Sequence, residues 1–101
     1  MIDMQNKNVK LVNSTYNALD AKDVLVSIIN DKITSLHRLA FSITEREGRD
    51  VAHLKKRTEE LQEARREMVK ALAMAHSKDM MVKIDATISV EFVKQEEPVI
   101  A

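Results

Sequence analysis

The 101-residue chain has no Cys and no Trp, a single Gly, a single Pro, two Phe and one Tyr, and its charges cancel. Each scarcity excludes something. Without Cys there is no disulfide framework, no thiol nucleophile and no thiolate metal site. One Gly is too few for the glycine-rich turns that cradle phosphates and dinucleotides, and no GxSxG turn is present. With so few aromatic residues the core has to be built from Leu, Ile, Val, Met and Ala, and the aromatic anchors that dominate tight docking sites are lacking. Sixteen Lys and Arg against sixteen Asp and Glu leave no global field toward nucleic acid or an anionic membrane. No apolar run approaches the roughly 20 residues that span a bilayer, and the polar stretch Met1 to Asn8 lacks the apolar core of a secretory signal, so a cytoplasmic location is expected.

What remains is 45% apolar and 32% charged, a composition that folds, in a chain whose length fits one domain with a small core. Sparse punctuation implies few, long elements. Between Ala21 and roughly Arg46, apolar side chains at Val24, Leu25, Ile28, Ile29, Ile33, Leu36, Leu39, Ala40 and Ile43 recur at helical period. Asp20 is the expected N-cap, Asp23 adds negative charge near the positive end of the helix dipole, and Gly48 supplies the left-handed C-cap. A second helix is expected from Val51, capped by Asp50, to about His76, with Leu54, Leu61, Met68 and Ala75 seven residues apart. Arg65 interrupts that seam, so Ala64 is expected to take its place against the first helix while the Arg65 stem lies along the edge with its head in water.

The two helical patterns test each other. In an antiparallel hairpin, facing residues share one midpoint. Ile43 with Leu54, Leu36 with Leu61, Ile29 with Met68 and Leu25 with Leu72 all share a midpoint between Gly48 and Arg49, where the lone Gly independently places the turn.

From Val82 the pattern changes to strict alternation. Val82, Ile84, Ala86, Ile88, Val90 and Phe92 fall on one side, Lys83, Asp85, Thr87, Ser89 and Glu91 on the other, which describes a strand with one dry face. Val9 to Tyr16 is a weaker strand candidate. The expected fold is therefore α+β, in the order β-α-α-β: a long antiparallel helical hairpin flanked by an N-terminal and a C-terminal strand, with the helices on one face of a small antiparallel sheet. Residues 1–7 and 95–101 are expected to be flexible ends of a single domain spanning 1–101.

Such a ribbon leaves unpaired strand edges and an apolar face that one copy does not fully cover. A homodimer is the expected remedy, formed through strands or helices, with Val24, Ile28, Leu39, Ile84, Ile88, Val90 and Phe92 as candidate interface residues. A sheet edge or helix face that docks a protein partner follows the same logic.

Polar constellations point to less. His37, His53 and His76 are spread along the hairpin, with no HExxH and no pair at metal-ligand spacing, so no metal or other cofactor is expected. Glu59 and Glu60 sit on a helix that also carries Lys56, Arg57, Glu63, Arg66, Glu67 and Lys70. That mixture describes a solvated face, not an acid/base dyad whose environments split two pKa values. No catalytic residues are expected. Lys55, Lys56, Arg57, Arg65 and Arg66 are the best nucleic-acid candidates, but Glu59, Glu60, Glu63 and Glu67 interleave with them and no aromatic stacking platform accompanies them. The leading expectation is a self-associating structural or interaction module without catalytic activity. The alternative is a nucleic-acid-associated accessory protein acting through those basic residues.

Overall fold

The computed structural model describes residues 5–94, so residues 1–4 of the expected flexible stretch 1–7, and all of 95–101, lie outside the described residues. Strand β1 (Lys7–Asn17) leads into helix α1 (Ala18–Glu47), which is followed by helix α2 (Ala52–Ser77) and strand β2 (Met81–Val90). The two strands form an antiparallel two-stranded sheet. The architecture is the α+β hairpin with flanking strands that the residue pattern describes. Lys7, assigned to the N-terminal tail on sequence, already pairs with Val90.

β1 runs into α1 without a loop, so α1 begins at Ala18 and not at Ala21. Its N-cap is Asn17: the Asn17 side-chain oxygen accepts from the Asp20 backbone N–H at 2.8 Å, and the Asn17 amide donates to the Asp20 carboxylate at 3.1 Å. Asp20, expected as the cap, is instead the third helical residue of a reciprocal capping arrangement. Gly48 closes the helix at φ 62°, its N–H donating to the Thr44 carbonyl at 3.2 Å. Val51 occupies the N-cap of α2 and offers no side-chain acceptor, but the Asp50 carboxylate accepts from the Ala52 N–H at 2.9 Å, which satisfies a first-turn amide from one residue further out. At the far end Met80 N–H donates to the Ala75 carbonyl and Asp79 N–H to that of His76, with Asp79 in the left-handed region at φ 55°. This is a Schellman-type ending in which Asp stands where Gly is commonest.

The helices meet along the expected seam. Leu36, Ile43, Val51 and Leu54 form one buried cluster with Leu39, Ala40 and Leu61 packed against it. Near the strands, Ala21, Leu72 and Ile84 form a second, joined by Leu25, Met68, Val24, Val12, Tyr16 and Val82. Arg65 departs from expectation: it is half-buried and its guanidinium donates to the Asn30 side-chain oxygen on α1, whereas Ala64 is exposed. An amide acceptor across the seam makes the long polar side chain a better fit there than Ala. Thr58 is buried too, its hydroxyl donating to the Leu54 carbonyl at 2.9 Å.

β1 is where alternation fails, and the cause is local. The register steps between Lys10 and Val12, leaving Leu11 as the extra residue of a bulge. On one side of it Val9 opposes Ile88; on the other Val12 opposes Ala86 and Tyr16 opposes Val82. Cross-strand partners point to the same face. The bulge therefore puts Val9, Val12 and Tyr16 on the apolar face of β2 although their spacing fits no single period of two.

Candidate association surface

The described molecule measures 49 × 37 × 15 Å. α1, with 30 residues, is about 45 Å long, and β1, with 11, is about 36 Å. Hairpin and ribbon thus run along different directions, and the helices cover only the part of the ribbon nearest them. There Ile84 is buried on Ala21 and Leu72, and Val12, Tyr16 and Val82 are half-buried. Farther out the same face carries Val9 at 52% exposure, Ile88 at 46% and Val90 at 39%, with Phe92 at 46% beyond the last paired residue. The strand itself ends at Val90, two residues short of the expected Phe92.

The candidate residues separate into two groups. Val24 and Leu39 pack into the two core clusters, Ile28 is half-buried on α1, and Ile84 is enclosed by its own chain. Ile88, Val90 and Phe92 stay open on the outer ribbon. Sequence reading missed Val9, which joins them. The signal was present: the midpoint shared by the facing helix residues, extended outward, pairs Val9 with Ile88.

The other face of the ribbon is polar. Lys10 donates to both carboxylate oxygens of Asp85 at 3.0 Å, and Thr87 donates to Asp85 at 3.3 Å. Hydrogen bonding from Lys10 is the main reason the Asp85 carboxyl sits below the ordinary carboxylate value of 3.8. The polarity is clean in β2, whose Lys83, Asp85, Thr87 and Ser89 side is polar and whose other side is apolar and, past Ala86, open; β1 adds Ser14 opposite Ile84 and Lys7 opposite Val90 to that second side.

The remaining candidate groups do not converge. Arg57 pairs with Glu60 at 3.2 Å, Arg66 pairs with Glu63, and Arg65 turns inward to Asn30. Lys55 and Arg57, two positions apart, lie on nearly opposite sides of α2, so the five basic residues share no face. His37 lies beside Lys55, Thr58, Glu59 and Gln62 in a shallow depression, whereas His76 lines a hollow at the helix–strand junction with Asn17, Asp79 and Met81. Among the described residues no three His, Asp or Glu side chains gather as metal ligands, and no helix is long and apolar enough to cross a membrane.

The sequence matches no protein-family model, and comparison with curated proteins and with solved structures finds no significant relative.

Proposed function

We propose that the protein is a small self-associating structural module whose working surface is the outer ribbon. One observation carries this reading. The apolar face of the ribbon continues through Val9, Ile88 and Val90 after the helices that cover it have ended, and exposed Phe92 follows just beyond the strand. A two-stranded ribbon is at best marginal in water unless it packs against something. Here the inner half does so and the outer half does not. The radius of gyration supports the same view: it is 17.2 Å, where a compact chain of this length has about 13 Å. Such a shape is that of a piece whose apolar surface is completed from outside. A second copy is the simplest completion, because it brings the same uncovered face and the same open edges.

The action proposed is burial and strand pairing, with no bond made or broken. Sedimentation or light scattering at micromolar concentration tests it: a two-chain particle is expected, and a single-chain mass would overturn it. If the chain is monomeric but its outer ribbon becomes protected from hydrogen exchange when another protein is added, the surface serves a different partner and self-association fails.

A further inference from the structure

We propose that two copies join edge to edge through β2, antiparallel about a two-fold axis at Thr87, into a four-stranded sheet in the order β1-β2-β2-β1. This rests on the self-association reading and specifies its surface and register. The choice of edge comes from the bulge. Between Lys10 and Val12 the ladder of β1 breaks, and a bulged edge pairs poorly with another strand. β2 is continuous from Met81 to Val90, and its outer edge has no neighbour among the described residues.

Side-chain parity then limits the register. Because one face of β2 is apolar and the other polar, residues on like faces must meet, so the two-fold passes through a residue and not between two. An axis at Asp85 would set two carboxylates against each other, which is unfavourable. An axis at Ala86 would place Lys83 beside the partner's Ser89. An axis at Thr87 places Lys83 beside the partner's Glu91, twice by symmetry, once each β2 lengthens past Val90 on pairing. On the apolar face it sets Ile88 beside the partner's Ala86, Val90 beside the partner's Ile84 and Phe92 beside the partner's Val82. Lys83 and Glu91 are both exposed in the single chain and free to meet across such a junction.

The same axis resolves the uncovered face. It leaves both helical hairpins on one side of the joined sheet, at opposite ends. The outer half of each β2 then lies against the inner half of the other, where Ile84 already packs on Ala21 and Leu72. Ile88, Val90 and Phe92 so become a continuation of the partner's core. The alternation that the sequence carries to Phe92, two residues beyond the last one paired within the chain, is used in full.

The absence of Cys makes the test direct, because any introduced thiol is the only one. Facing Cα atoms across an antiparallel pair are about 4.5–5.5 Å apart, within disulfide range. The single variant Thr87→Cys is therefore expected to oxidise to a covalent dimer as its major species. Asp85→Cys alone and Ser89→Cys alone stay monomeric on a non-reducing gel, since each would have to bridge about 14 Å. Positions 85 and 89 face each other in this register, so an equimolar mixture of those two variants cross-links, which supplies an independent readout if Thr87→Cys misfolds. Wild-type mass separates the two claims. A single-chain mass overturns self-association and this interface together. A two-chain mass with no cross-link in either arm overturns the β2 interface alone, and cross-linking of Asp85→Cys or Ser89→Cys by itself overturns the register.

Discussion

Val9 and Ile88 face each other on the apolar side of the ribbon, three positions along β1 from Val12, which faces Ala86 on that same side. An unbroken strand cannot place residues three apart on one face. Leu11, the extra residue between them, is 52% exposed and has no cross-strand partner. Deleting Leu11 is therefore expected to leave a regular ladder with every other facing pair intact. Its urea midpoint should correspond to a stability change within about 1 kcal/mol of wild type, since little burial is lost. A loss of several kcal/mol would show that the bulge itself supports the fold.

That bulge also explains which parts of the fold were legible in sequence. β2 could be read directly because its alternation is uninterrupted, and the helical seam because Gly48 and the facing Leu and Ile residues place the turn independently. β1 could be seen only faintly, since a one-residue insertion erases a period of two. The start of α1 was misplaced because Asp20 looks like a cap, while the true cap, Asn17, also ends a strand and is followed by no loop. Arg65 was misread because its partner, Asn30, lies 35 positions away on the other helix, and no local pattern announces a polar pair across a seam. Of the surface candidates, alternation correctly identified the apolar face of β2. How far the hairpin covers that face depends on the direction in which the ribbon leaves the helices, which the residue pattern does not encode.

Leu36 and Leu54 are the two large side chains most completely enclosed, at 1% and 0% exposure. Truncating either to Ala removes buried methyl groups and leaves a cavity in the small hairpin cluster. Each change is expected to cost about 2–5 kcal/mol in chemical denaturation. For a single domain of this size that is a large share of the roughly 5–15 kcal/mol typically available, so loss of the cooperative transition at 37 °C is the expected outcome for the more sensitive of the two.

Gly48 holds a left-handed conformation at φ 62°, and a Cβ built there would meet nothing within 4 Å. Space is therefore not the constraint; backbone geometry is. Gly48→Ala should destabilise by about 1 kcal/mol and Gly48→Asn by clearly less, because Asn tolerates this region. Equal losses for the two variants would point to a role for Gly48 other than its dihedral angle.

Lys10 and Asp85 link the strands on the hydrated face. Because the folded-state value of Asp85 lies below its ordinary 3.8, the pair contributes stability above that pH and loses it as pH falls through the lowered folded value. Asp85→Asn should thus be less stable than wild type at pH 7, with the gap closing as both are taken below pH 3.8. A gap that persists unchanged into that acidic range would mean that Asp85 acts through something other than its charge.

The most direct test of the account is the mass of the unmodified protein in solution, measured by sedimentation equilibrium across the micromolar range. One chain is 11.5 kDa, and the outer ribbon is expected to bring two together, giving a particle of twice that mass which dissociates on dilution. A mass of 11.5 kDa at every concentration would contradict it.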